Sequence, residues 1–494
     1  MKTNLRTILS LSFCCVSLSS CVNLEEMNID PNHATSTDPQ LLLTNVEYKT
    51  FSGASKSPAY ATRQLVMTDG ENTYQVYKWN HGSFDTYSDL RDVEKLIKNA
   101  DDQPVYTALA NFIRAYDYYN LALTFGDVPC AEALKGETDN LYQPRYDTQE
   151  KVLTYVLKQL EEANTILVEH ANETINGDII FDGNLTKWRK VINAFRLKVL
   201  MTLSKRNTID GTSVKSAFAS IVSNQLLMQS DKDNGQLVFI DQQDNRYPFF
   251  NDSGFGSGLY MDSTYIANLR IRKDPRLFAF CTQTPAAKEQ GKAIDDYTAY
   301  DGGDPIKPYA MVNKKATNHG CSKPQPRYYQ NATNEPLIFM GYTEQQLILC
   351  EAVVRGWIDG NAKDYYDSAV KASFSFYNAY ATDFSSYLTP EAAETYLTGD
   401  LVRWNNASTT EEKIAKIVMQ KYIPSFLQGG QWSMIYEYHR TGYPKYLLSS
   451  NMMVGARWMY PLDEYNNNTS NLKETLTSQY AGNDNITDLS WCFK

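Results

Sequence analysis

The chain has 494 residues, with 57 acidic against 47 basic side chains and a net charge of −10. That length suffices for one large or two ordinary cores, and the charge has the wrong sign for nucleic acid or an anionic membrane face, both of which are held by Lys and Arg clusters. Neutral or cationic ligands are the easier match, and 35 tyrosines within a 13% aromatic content exceed what a core usually asks for, which leaves rings for contact with a ligand or a protein.

In chain order, Lys2 and Arg6 precede an apolar run from Ile8 to Leu18 that closes on Leu18-Ser19-Ser20-Cys21. A charged start, a short apolar stretch and small residues before a cysteine read as a lipoprotein signal peptide over residues 1–20, too short to span a bilayer. The mature chain would begin at Cys21, whose thiol and freed amine take the acyl chains of a stable anchor. Losing Lys2 and Arg6 moves the net charge to −12. Glu25 and Glu26 then form an acidic pair near the lipid, similar to the signal that sends some Gram-negative lipoproteins to the outer surface. Residues 21–40 are polar, with Asn28, Asp30, Pro31, Asn32 and Pro39, and read as a flexible tether.

From Leu41 the dominant signal is helical. Within Pro104 to Phe125, the residues Leu109, Phe112, Tyr116, Tyr119 and Leu123 recur at spacings of three and four and predict one buried stripe. Gly126-Asp127-Val128-Pro129 stops that helix. A second is predicted from Asp147 as N-cap, with Val152, Val156, Leu160, Ala163 and Leu167 on one face. A third runs from Trp188 to Leu203.

Between about 207 and 335 the pattern turns to Gly, Asp, Asn and Tyr, which predicts a loop-rich insertion with a small sheet, the kind of region that carries binding residues. Beyond it, Thr343 to Arg355, the turn Gly356-Trp357-Ile358-Asp359-Gly360 and Asn361 to Tyr377 form a helical hairpin. Its small residues Ala352, Gly356, Ala362 and Ala369 let the two backbones approach, as in a tetratricopeptide unit. The fold class expected is mainly α: tetratricopeptide-like hairpins as a scaffold, with a loop-rich α+β ligand-binding portion, in a single globular domain over 41–494. Roughly half of the chain is expected to be helical.

Chemistry-bearing motifs are sparse. Five histidines with no H-E-x-x-H, and no C-x-x-C among Cys130, Cys281, Cys321, Cys350 and Cys492, indicate neither a metal site nor a disulfide scaffold. No cofactor is expected. The acidic run Asp295-Asp296 with Asp301-Gly302-Gly303-Asp304 does not fit a calcium loop, and Gly254-Phe255-Gly256-Ser257-Gly258 follows no clear strand, so it reads as a hinge and not a phosphate cradle. No G-x-S-x-G constellation marks a hydrolase.

Several segments in this order resemble the SusD/RagB family of outer-membrane nutrient-binding lipoproteins over nearly the whole length. They are Asn28-Ile29-Asp30-Pro31-Asn32, Phe125-Gly126-Asp127-Val128-Pro129, Tyr146-Asp147-Thr148-Gln149, Phe181-Asp182-Gly183-Asn184 with Lys187-Trp188, Asn193-Ala194-Phe195-Arg196-Leu197 and Asp274-Pro275-Arg276. Further on come Glu351-Ala352 to Gly356-Trp357, Gln420-Lys421-Tyr422, Arg440-Thr441-Gly442-Tyr443-Pro444, and Arg457 with Tyr460-Pro461. The chain departs from the family in having His439-Arg440 where two arginines are usual, and Asn184 where an aspartate is usual. These motifs read as packing, with Arg440 and Arg457 forked onto carboxylates or helix-end carbonyls.

The resemblance implies a non-catalytic, lipid-anchored protein on the extracellular face of the outer membrane. It would capture an oligosaccharide and deliver it to a SusC-like TonB-dependent transporter barrel, touching the membrane through its anchor only. An oligopeptide ligand in the same system is the alternative, and a surface glycoside hydrolase the more distant one. For the site, the segment Glu71 to Phe84 alternates aromatics with amides, a mixture suited to the C–H faces and hydroxyls of sugars. Asn72, Tyr74, Tyr77, Trp79 and Asn80 are the candidate ligand contacts there, with Tyr297 and Tyr300 in a second segment.

Overall fold

The structure is a computed structural model and describes residues 38–100, 102–256, 258–429 and 432–494. The signal segment, Cys21 and most of the tether lie outside these residues. No described helix is long and apolar enough to cross a membrane.

Helix α1 spans Pro39–Phe51, with Asp38 as N-cap accepting from the Gln40 amide and Pro39 in the first turn, where its missing N–H costs nothing. The helix therefore starts at Pro39, two residues before Leu41, where the composition suggests it begins. Next come α2 (Thr86–Ala100), α3 (Pro104–Phe125), α4 (Gln149–Glu169) and α5 (Leu185–Thr202), each packed on its predecessor. Helix α3 carries more than a stripe. Besides Leu109, Phe112, Tyr119 and Leu123 it buries Ala108, Ile113, Ala115 and Tyr118, because α1, α2 and α4 all pack around it.

Two start signals differ from expectation. Helix α4 is capped by Thr148, which accepts from the Lys151 amide, while the Asp147 carboxylate accepts from the amides of Cys130 and Ala131 at 3.2 and 2.7 Å. Helix α5 begins three residues before Trp188, with Asn184 accepting from the Lys187 amide; a cap bonds the N–H three residues ahead of it, so the apolar run lags the true start. At the α3 end Gly126 has φ +94°, and a Cβ there would lie 2.0 Å from Gln479 Oε1, so only glycine fits.

The hairpin of α6 (Tyr342–Val354) and α7 (Ala362–Tyr380) forms as predicted. Gly356 at φ +65° turns the chain, the Trp357 amide donates to Ala352 O at 2.8 Å, and Cys350 Sγ approaches Ala362 O to 3.1 Å. Helix α8 (Thr410–Tyr422) opens on a Thr409–Glu412 capping box and packs on α6 and on α9 (Ser433–Thr441). Among the described residues 54% are helical, so the structure is a mainly α scaffold.

The insertion contributes short strands and helices but no continuous sheet. Strand β1 (Leu65–Met67) pairs antiparallel with β3 (Leu259–Met261), and β2 (Gly235–Leu237) with β4 (Leu337–Met340). These two pairings join the insertion to segments outside it and tie it to the scaffold, while Thr208–Ile209 pairs with Thr212–Ser213 within it. Helices Val214–Asn224, Ser263–Ile271 and Tyr309–Thr317 also lie within it. All five described cysteines are free. The acidic residues near Asp301 are engaged locally: Asp296 accepts from the Thr298 amide, and Asp301 pairs with Lys315 at 2.6 Å.

Candidate functional site

The segment Glu71 to Phe84 is pinned on both sides. The Asn72 side-chain oxygen accepts from the amides of Tyr74 and Gln75 at 3.0 and 3.1 Å, closing a turn. Gln75 accepts from the Met67 amide and donates to Pro305 O. Tyr77 sits at φ +53°, a left-handed conformation rare for a bulky residue. It is held there by its hydroxyl donating to Ala61 O at 2.7 Å and by Arg63 stacked 4.7 Å from its ring. Beyond it the chain runs parallel to a second segment: Met459 donates to Asn80 O, Gly82 donates to Met459 O, and His81 meets Tyr460 O.

This pairing gathers rings that are far apart in sequence. Trp79 stacks on Trp458, with centroids 5.3 Å apart, and Trp458 meets Trp432 edge-on at 4.3 Å. Tyr74 adjoins Trp432 at 5.7 Å and Trp79 at 6.0 Å. Trp432 stands just ahead of α9, Trp458 donates its amide to Thr124 O at the end of α3, and Thr124 Oγ1 reaches Tyr436 Oη at 3.2 Å. Three separated stretches therefore build one aromatic wall.

Tyr74, Trp432 and Trp458, with Ser55, Ser57 and Ser83, line a depression of about 250 Å³. Through Ser55, Thr124 and Trp432 it adjoins a larger cleft of about 440 Å³ that runs in between α1, α3, α5, α6 and α9. The mouth offers ring faces and hydroxyls; the interior is charged. Lys198 pairs with Glu344 at 3.0 Å, Lys421 with Glu437 at 3.1 Å, and Arg440 with Glu437 at 2.6 Å. Burial pushes the Glu437 carboxyl up, but Arg440 and Lys421 outweigh it and hold the group below its usual range. On the α3 wall, Asp117 is buried and its Oδ2 has no hydrogen-bond partner. Burial, reinforced by nearby Asp89, raises that carboxyl well above the ordinary value.

Of the residues singled out in the sequence, Tyr74 alone lines the depression. Tyr77 and Trp79 are corrected from ligand contacts to supports: they are 6% and 4% exposed, and the Trp79 indole donates to Arg457 O at 2.9 Å. Asn72 is half-buried and serves the turn, while Asn80 is exposed beside the pairing. Tyr300 is likewise corrected, being 1% exposed with its hydroxyl donating to Ile294 O. Tyr297 donates to Lys273 O and packs on Phe278; neither tyrosine lines the cleft. Cys21 lies outside the described residues. Trp432, Trp458 and Asp117 were not foreseen, since no local pattern sets them apart from core aromatics or from a helix's polar face.

Among described residues no group of three or more His, Cys, Asp or Glu is arranged to hold a metal ion. The wall of rings can stack on sugar faces, and the hydroxyls and paired ions beside it can bond ring oxygens.

Comparison with known proteins bears on this site. The family named SusD-like and described as starch-binding, associating with the outer membrane, matches residues 31–461. An outer membrane protein of Bacteroides vulgatus linked to nutrient binding is similar at 54% identity, with 93% of this chain and 100% of that chain covered and a TM-score of 0.91. A SusD homologue of Bacteroides fragilis is similar at 46% identity, with coverages of 93% and 100% and a TM-score of 0.88. A chitin-binding protein shares the fold at 22% identity, with coverages of 92% and 100% and a TM-score of 0.72. No curated protein matches the sequence.

Proposed function

Since the chain belongs to the SusD-like family of starch-binding proteins that associate with the outer membrane, we propose that it captures oligosaccharides at the cell surface and passes them to a SusC-like TonB-dependent transporter. It does so as a lipoprotein anchored through Cys21, without catalysis. The observation that carries the ligand class is the wall of Tyr74, Trp432 and Trp458 over the depression. Ring faces placed beside serine and threonine hydroxyls match the alternation of C–H faces and hydroxyls on a sugar chain. The signal sequence ending at Cys21 supports the anchor, and the family resemblance supports the transporter as partner. Asn80, exposed beside the wall, is a further contact, and Asn72 positions Tyr74 through its turn.

Isothermal titration of the full-length protein, held in a detergent without a sugar headgroup, against maltooligosaccharides, chitin oligosaccharides and mixed peptides tests the reading. Chromatography of each mixture follows. Saturable glycan binding without products is expected, and Trp432→Ala should weaken it at least about tenfold, the usual loss for a buried aromatic anchor. Peptide binding alone would replace glycan by oligopeptide, and products would make the protein a hydrolase.

A further inference from the structure

The aromatic wall explains the mouth of the cleft but not its inner end. There the cations are already matched: Lys198 pairs with Glu344, Lys421 with Glu437, and Arg440 with Glu351 at 2.5 Å as well as with Glu437. Two buried oxygens on the cleft wall remain without a partner, Asp117 Oδ2 on α3 and Thr50 Oγ1 on α1. Asp89 of α2 lines the same wall and lies close enough to Asp117 to disfavour its ionisation further. A buried oxygen left unbonded costs free energy comparable to a lost hydrogen bond, so two on one wall, beside a second carboxyl, call for a donor from outside the chain. Charge complementarity makes that donor a cation.

We propose that the inner end of the cleft is a subsite for a protonated amine carried on a sugar ring, held by Asp117 with Thr50 and Asp89 beside it. This rests on the aromatic wall being the glycan platform. An ammonium has three N–H donors and a positive charge, which satisfies both unpaired oxygens and offsets the carboxyl pair. A hydroxyl in the same place supplies one donor and no charge. Burial first, and then Asp89, favour the protonated form of unliganded Asp117. When the ammonium docks, the Asp117 O–H bond breaks, its proton leaves to solvent, and the carboxylate pairs with the intact ammonium. Lys49, which pairs with Asp92 at 2.7 Å at the rim, also acts on Asp89 and partly offsets the burial that raises its carboxyl.

The test is calorimetric titration of the full-length protein with a β-1,4-linked glucosamine tetramer and with its fully N-acetylated counterpart. It is done in mildly acidic buffers of differing ionisation enthalpy, so that proton release is read along with affinity. The amine form should bind about tenfold more tightly and release about one proton per chain, whereas the acetylated form should release none. Asp117→Asn, isosteric and uncharged, should abolish both the preference and the proton release. Thr50→Val should reduce the preference about threefold without altering proton release. Equal binding of the two tetramers, or a preference that survives Asp117→Asn, overturns the amine subsite and leaves the platform standing. If neither tetramer binds and Trp432→Ala changes nothing with any glycan, the platform falls and the subsite with it.

Discussion

Glu351 is fully buried and bonds Arg440 at 2.5 and 2.7 Å and Arg355 at 2.7 Å. Burial pushes its carboxyl up, but Arg440, Lys421 and Arg355 outweigh burial and hold it well below the usual range. A carboxyl whose folded pKa is depressed contributes stability that is present above its unfolded value of 4.5 and lost as pH falls through that region. Glu351→Gln leaves Arg440 buried with only Glu437 as ionic partner, so the variant should lose about 3 kcal/mol at neutral pH. Its urea midpoint should also lose part of the acid-side decline seen in the parent, which urea denaturation across a pH series reads directly. The role of Arg440 and Arg457 in packing was legible, since forked guanidiniums suit buried carboxylates. Their partners Glu351 and Asp484 were not, because a charge's partner is chosen by folding and lies well away along the chain. The same distinction governs Tyr77 and Trp79. Alternating aromatics mark a segment worth attention, yet which rings face inward depends on what the segment pairs with.

At the level of elements, the segments around Trp79 and Trp458 act as one unit. A Cβ on Gly455 would lie 2.2 Å from Trp79 Cζ2 and 2.8 Å from its Cε2 and Cη2, contacts that force the indole to move. Gly455→Ala should therefore displace Trp79 and the rings stacked on it. The expected readouts are a changed near-ultraviolet circular dichroism spectrum, glycan affinity about tenfold lower and stability reduced by about 2 kcal/mol. An unchanged spectrum with unchanged affinity would separate Trp79 from the platform. The helices themselves were readable, because a period of three to four with strong stop signals such as Gly126 survives any packing. The starts of α4 and α5 were not, since a cap is chosen by which side chain reaches the free N–H groups. The pairings β1 with β3 and β2 with β4 join segments too far apart for a local pattern to announce.

For the whole molecule, the C-terminal residues close the scaffold. The Cys492 amide donates to Gln149 Oε1 at 2.8 Å, Gln149 in turn donates to Ala122 O and Ser490 Oγ, and Lys205 donates to Phe493 O at 2.7 Å. Cys492 and Phe493 are buried, and Phe493 lines the cleft beneath Tyr436. Deleting residues 490–494 removes those contacts, and loss of the Phe493 ring alone should cost about 3 kcal/mol. Scanning calorimetry should show the melting temperature lowered by several degrees, and glycan titration should show weaker binding, because one wall of the cleft is gone.

The sequence by itself determined the helical scaffold, the hairpin of α6 and α7, the family and the mixture of aromatics and amides over Glu71 to Phe84. These follow from periodicity, stop residues and motif order, which are properties of neighbours along the chain. Only the tertiary structure decided which aromatics are buried as supports and which line the depression, that Trp432 and Trp458 join Tyr74, and that Asp117 Oδ2 has no partner on the cleft wall. Those outcomes depend on contacts between residues hundreds of positions apart, and such contacts are selected by the packing of the whole core.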